Sequence, residues 1–261
     1  MNTTIITNQP APVAVAPATS GIRVVSELLM LQLTNDQILD QALWNVGEKT
    51  TDEQRHAPRF FATHDKRFQA DDVFVIAALS ILHPGSIVCR TRNPILLADA
   101  DIVVDVGHAF DAQRYRYDHH QWTPQDWAQG RGVRLNGIPY ASFGLLWSTG
   151  CSYNVVATVL DASPKLQGQC DEIVKLVDER FVQKLDAADV AWQTLSPRDD
   201  ATRLPIVDYI RALNPADQAD DQTYDAAFVR AVNVAREILR REILAAFNAR
   251  VRASFDSRTA P

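Results

Sequence analysis

Ile102-Val103-Val104-Asp105-Val106-Gly107 decides how this chain is read. A short apolar, β-branched run of this kind suits a strand buried on both faces, as inside a parallel sheet. It carries a carboxylate, Asp105, near its end. Upstream, Ser86-Ile87-Val88-Cys89-Arg90-Thr91 reads as a second strand and Phe60-Phe61-Ala62-Thr63 as a third, ending at His64. Between them, residues 71–82 read as a helix with Val73, Ile76, Ala77 and Ile81 on its buried side and His83-Pro84-Gly85 as its stop. Asn93-Pro94 opens a short helical turn to Ala98. This β-α-β-α-β order predicts an α/β fold, a mainly parallel sheet with helices on both faces. Ligands in such sheets gather at the carboxyl ends of the strands, where His64 and Asp105 fall.

Downstream, Tyr117-Asp118-His119-His120-Gln121 places a carboxylate beside two imidazoles. Such groups near Asp105 are hard oxygen and nitrogen donors for a divalent metal. Thr63-His64-Asp65-Lys66-Arg67-Phe68-Gln69-Ala70-Asp71-Asp72 is a third cluster of the same chemistry. One histidine in a loop is ordinarily just a loop histidine, and three polar residues in a row are ordinarily a solvated turn. The convergence of three clusters on strand ends outweighs that, because a buried strand ending in an unpaired Asp is costly without a counter-charge.

After the loop signal Gln129-Gly130-Arg131-Gly132 the chain turns helical, with a helix over 141–150, an ambiguous stretch over 151–157 and a long helix over 169–189. The last helix is expected to start at a Thr223 cap and to bury Phe228, Val232, Ala235, Ile238, Leu239, Ile243, Ala246 and Phe247. Its other face carries Arg230, Arg236, Arg240, Arg241, Arg250 and Arg252, a solvated side with a phosphate-backbone track as the alternative. At the other end, residues 1–21 read as a flexible Pro- and Ala-rich arm and residues 22–57 as a helical extension, which would pack on the core or serve a homodimer or protein partner. The remaining 58–261 form the main domain.

The chain has 261 residues, a net charge of -6 and three cysteines, Cys89, Cys151 and Cys170. The length suits one large domain with an appendage. An odd number of unrelated cysteines supports buried free thiols rather than a disulfide framework or zinc ribbon. No apolar run approaches the ~20 residues that span a bilayer, and the start lacks a secretory signal, so no membrane association and a cytoplasmic location are expected. The acidic balance disfavours nonspecific adhesion to nucleic acid and leaves a local basic patch or bridging metal ions as the route to it.

The three clusters, in order and spacing, resemble the DHH phosphoesterase superfamily, and within it the melanocyte-proliferating-gene exonuclease family. Its members carry Thr-His-x-Gly-x-Phe-His-x-Asp-Asp, then Val-Val-Asp-Val-Gly, then Tyr-Asp-His-His-Gln. The likeness continues through Tyr140-Ala141-Ser142-Phe143-Gly144-Leu145-Leu146-Trp147 and Phe181 to Asp189, covering residues 58 to 250. It implies a DHH-type domain followed by a helical C-terminal segment. It implies a metal-dependent phosphodiesterase of nuclease type with two divalent cations, manganese or else magnesium. The expected metal ligands are His64, Asp71, Asp105 as bridge, His119, and Asp189 or Asp186. His119 and His120 would join Asp105 in the chemistry, with Asp118 orienting a histidine and His120, Arg90 and Arg92 holding substrate phosphate. The substrate would be a nucleotide, a short oligonucleotide or a single-stranded nucleic acid end.

Four departures accompany the likeness. Gln69 stands where the family has its second His, a weaker ligand, and Lys66 stands at the Gly of the same loop. Asp186-Ala187-Ala188-Asp189-Val190-Ala191 lacks the family's Asn-Gly. The family's second, C-terminal substrate domain also has no room in residues 252–261, which favours small substrates or a partner-supplied surface. These departures motivate the alternative of a non-catalytic member that binds a nucleotide or protein.

Overall fold

The structure is a computed structural model that describes residues 22–27, 30, 59–161, 167–190 and 204–259. Its strands are short. In chain order, β1 (Arg23–Val25), β2 (Phe60–Thr63), β3 (Ile87–Arg90) and β4 (Ile102–Val104) are joined beyond β4 by β5 (Phe110–Asp111) and β6 (Arg116–Tyr117). The sheet order is β1-β3-β2-β4-β6-β5. Every neighbouring pair is parallel except β5 with β6.

Side chains alternate across this sheet, as the two-residue period of a strand requires. Phe60, Ala62, Ile87, Cys89 and Val103 share one face with Val25, Met30 and Leu96. Phe61, Val88, Ile102 and Val104 share the other with α1 (Ala70–Leu82). The first face is covered by α2 (Pro94–Asp99), which starts on an Asn93 side-chain cap to the Ile95 N–H. Helices therefore lie on both faces of a mainly parallel sheet, the α/β class expected.

Residues 22–57, expected as a helical extension, begin instead with strand β1. Arg23-Val24-Val25 pairs with β3 because that edge offers unpaired backbone groups, a partner that local pattern does not reveal. Beyond it the Met30 N–H donates to the Ser26 carbonyl at 3.0 Å. The rest of the expected extension and the arm over 1–21 lie outside the described residues.

The helical part comprises α3 (Pro124–Ala128), α4 (Ser142–Trp147), α5 (Cys151–Val159), α6 (Gln167–Val177), a π turn (Asp178–Val182), α7 (Gln183–Asp189), α8 (Pro205–Ala212) and α9 (Asp221–Thr259). The ambiguous stretch after 150 is thus helix α5, and the long helix over 169–189 is real but widened by the π turn. Helix α9 lies on α1 and buries Phe228, Val232, Ala235, Leu239, Ile243 and Ala246 of the stripe read from the sequence, together with Ala227 and Ala231, while Ile238 and Phe247 of that stripe are half-buried. Its cap is Asp220, whose carboxylate accepts the Thr223 N–H at 2.8 Å, so the start precedes the expected Thr223. Among the cysteines, Cys89 and Cys170 are buried free thiols, and Cys151 is half-buried. Burial pushes the Cys89 thiol up to about 12.

The loop between β2 and α1 is held from the far end of the chain. Asn214 accepts the Phe68 N–H at 2.9 Å and donates to the Phe68 carbonyl at 2.8 Å. Arg67 and Lys66 pair with Asp217 and Asp221 at 2.5 Å each. Lys66 has φ +63°, the left-handed conformation. That explains why a glycine suits this position, since a Cβ there costs about 1–2 kcal/mol. Exposed ion pairing offsets part of this. Lys66→Gly should therefore leave stability within about 0.5 kcal/mol of wild type, while the β-branched Lys66→Val lowers it by about 1–2 kcal/mol. Urea denaturation midpoints check both; an equally stable Lys66→Val would remove the backbone argument.

Candidate metal centre

The ends of β2 and β4, the segment after β6 and the N-terminus of α4 meet at Asp105. This residue lies just beyond β4 with φ +56°, a conformation Asp tolerates better than most residues. Its N–H donates to the Tyr117 carbonyl at 3.0 Å, which ties it to the end of β6. Asp105 Oδ2 lies 3.4 Å from His64 Nε2, and Oδ1 lies 3.4 Å from His119 Nδ1. The Ser142 hydroxyl donates to the same Oδ1 at 3.0 Å and lies 3.1 Å from His119 Nδ1. Asp105 thus looks two ways at once.

On the His64 side stands Asp72, with Oδ2 at 3.4 Å from His64 Nε2. On the His119 side, His119 Nε2 lies 3.2 Å from Asp189 Oδ2. Asp71 completes that side: its two oxygens accept the N–H groups of Ser142 and Phe143 at 2.9 and 2.7 Å, at the start of α4. Asp118 accepts the N–H groups of His108 and His120 at 2.6 and 3.0 Å and meets His120 Nδ1 at 2.7 Å. The His119 and His120 rings stack at 4.3 Å. Ligand atoms lie within 4.8 Å of one another in three groups: Asp105-Asp118-His119-His120, His64-Asp72-Asp105 and Asp71-His119-Asp189.

Acidic groups outnumber basic ones in this site. Five carboxylates, Asp71, Asp72, Asp105, Asp118 and Asp189, face three imidazoles. Burial drives the Asp71 carboxyl well up, helped by the charges of Asp105 and Asp189. Burial also lifts Asp72 to about 6 against the pull of His64. For His64, burial opposes protonation but is outweighed by Asp72 and Asp105, so its value rises to about 9. Asp105 is likewise pulled below the usual carboxylate range by His64 despite burial. Protons here occupy places that cations would take on metal binding. The donor set is one of buried oxygens and imidazoles, and Asp72 Oδ2 is buried with no hydrogen-bond donor among the described residues. These residues fit divalent metal ions.

The structure brings together His64, Asp71, Asp105, Asp118, His119, His120 and Asp189 from the sequence expectation. Four other expected residues stand differently. Asp186 is fully buried, paired with Arg134 Nη1 at 2.6 Å and accepting the Gly144 N–H at 3.0 Å. A Cβ at Gly144 would fall onto that carboxylate, which gives a reason for glycine there. Gln69 caps α1 through its backbone, donating its N–H to Asp72 Oδ1 at 2.8 Å. Arg90 is turned away from solvent: it stacks on Phe228 at 4.6 Å, pairs with Asp225 at 3.2 Å and donates to the Lys66 carbonyl. Arg92 is exposed and donates to Asp65 at 3.0 Å, beside His64.

Three contributors were not singled out from the sequence. Asp72 was visible as the second acid of the Asp-Asp pair. Ser142 lay in a quoted motif, as a hydroxyl at a helix start. Arg134 carried no local signal, because its partner Asp186 is distant in sequence.

The fold and site together define an α/β protein whose strand ends gather buried carboxylates and imidazoles able to hold divalent metal. The chain belongs to the MYG1 exonuclease family: the family model, described as Uncharacterised protein family (UPF0160), matches residues 60–259. Among curated proteins it is 32% identical over 190 residues to MYG1 exonuclease of Bos taurus, covering 69% of this chain and 48% of that one. The Homo sapiens MYG1 exonuclease is 30% identical over 190 residues, with 69% and 49% covered. A MYG1 protein of Schizosaccharomyces pombe is 30% identical over 182 residues, with 65% and 53% covered. The chain spans about half the length of these relatives. No solved structure matches it.

Asp118 supplies a test of the site's electrostatics. Burial opposes its ionisation, but hydrogen bonds from His120 and His108 win and hold its carboxyl down to about 2, from 3.8. A depressed folded-state value contributes stability that is present above about pH 4 and lost as pH falls toward 2. Asp118→Asn should therefore cost up to about 2 kcal/mol at neutral pH and flatten the stability profile between pH 4 and 2. Urea unfolding across that range reads it; an unchanged acid slope would show that Asp118 is not held by these bonds.

Proposed function

We propose that this chain is a metal-dependent phosphodiesterase that hydrolyses nucleic acid ends or short oligonucleotides, on a site with Asp105 between two divalent cations. The observation that carries this is the double aspect of Asp105, with one oxygen toward His64 and the other toward His119. Manganese is the cation we assign, with magnesium as substitute, since the donors are mostly hard oxygens with imidazole. His64 and Asp105 would hold one ion; Asp71, His119 and Asp189, with Asp105, the other. Bound divalent cations supply Lewis acidity, neutralising phosphate charge and acidifying water.

The chain's own groups do the rest. Asp118 occupies His120 Nδ1 and so leaves Nε2 as the ring nitrogen for substrate. The same hydrogen bond raises the His120 value, against partial burial. When protonated, the half-exposed ring can donate from Nε2 to a phosphate oxygen or to the departing oxygen. Ser142 holds Asp105 and His119 in fixed relation, and the backbone of α4 does the same for Asp71. Arg92 is exposed and paired with Asp65, the residue after His64, and is the arginine we assign to the substrate phosphate.

This reading rests on the family, whose mammalian members are named exonucleases, and on the donor set. The rival, a binding protein without catalysis, drew on Gln69. Its basis is that a neutral amide is a weaker metal donor than the imidazole the family carries at this position. Asp105→Ala should reduce hydrolysis of bis(p-nitrophenyl) phosphate in manganese by at least ~100-fold and abolish manganese uptake, with an unchanged far-ultraviolet circular dichroism spectrum. Retained uptake by elemental analysis would sink the bridging role.

A further inference from the structure

Asp72 has no role in the expectations above, yet its placement is specific. The side chain is fully buried, and Oδ1 is satisfied by the Gln69 N–H at 2.8 Å. Oδ2 has no hydrogen-bond donor among the described residues and faces His64 Nε2 at 3.4 Å. That nitrogen lies at the same 3.4 Å from Asp105 Oδ2. One Nε2–H cannot make a linear hydrogen bond to both carboxylates, and 3.4 Å exceeds the roughly 2.7–2.9 Å of a charge-assisted hydrogen bond. It suits two ligands each about 2.1 Å from a common cation, which lie roughly 3–3.5 Å apart. A buried carboxylate oxygen without a donor is costly, and a cation removes that cost.

Gln69 gives its backbone N–H to Asp72 Oδ1 and lines a small recess with Leu185, Ala188, Asp189, Val207 and Arg211. We propose that Asp72 is a ligand of the cation held by His64 and Asp105, supplying the coordination that residue 69 does not. The proposal rests on the two-cation reading above. It makes the His64 site one imidazole and two carboxylates, a hard set that takes manganese or magnesium in preference to softer ions.

Isothermal titration with manganese, with bound metal counted after gel filtration, tests the assignment on the full chain. Wild type should bind two ions. Asp72→Asn, which keeps the Oδ1 acceptor, should bind one, or lose at least tenfold in affinity for the second, with Asp71, His119 and Asp189 untouched. Gln69→Ala and Gln69→His should both bind two ions with affinities within threefold of wild type. Wild type taking up no manganese overturns the two-cation reading and this inference with it. Two ions bound equally by wild type and Asp72→Asn overturn the assignment of Asp72 alone. Loss of an ion in Gln69→Ala, or a tenfold gain in Gln69→His, also overturns it, and these arms decide the matter if Asp72→Asn does not fold.

Discussion

Buried negative charge at the strand ends is the constraint from which the rest of the structure follows. Asp71, Asp72, Asp105 and Asp118 are all nearly inaccessible to water, and Asp189 closes the same cluster. No arrangement of hydrogen bonds alone would keep so many carboxylates together in a dry site. The chain meets part of the cost with backbone N–H groups, from Ser142 and Phe143 onto Asp71 and from His108 and His120 onto Asp118. Imidazoles meet another part. The remainder is of the kind that a divalent cation, which these residues fit, would offset.

The scaffold exists to hold those groups in register. Parallel strands bring His64 and Asp105 to one edge, and α4 begins where Asp71 can receive its first N–H groups. Arg134 draws Asp186 out of the cluster and anchors α7, which leaves Asp189, three residues on, to face His119. The loop between β2 and α1 is pinned through Asn214, Asp217 and Asp221, next to or within the start of α9. Packing far from the site therefore bears on its geometry: Phe228 of α9 supports the Arg90 guanidinium that braces the same loop.

Much of this was legible in the sequence. Apolar strands with a carboxylate or histidine at the end identify a parallel sheet and its reactive edge, because burial on both faces and the chemistry of the end are both local properties. Helix α9 declared itself by its stripe. What was not legible was pairing across distance. Arg90 reads as a phosphate ligand until Asp225 and Phe228 are seen around it. Strand β1 reads as helix until the free edge of β3 is present. Asp72 and Asp71 are neighbours in sequence, yet α1 starts between loop and sheet so that they face different histidines, a division that spacing alone does not show.

The central claim is that Asp105 stands between two divalent cations. Anomalous scattering at the manganese edge, from crystals of the chain grown with manganese, measures it most directly. The account predicts two anomalous peaks flanking the Asp105 carboxylate, one against His64 and one against His119. A single peak bound only by Asp118 and His120, or none within reach of Asp105, would contradict it.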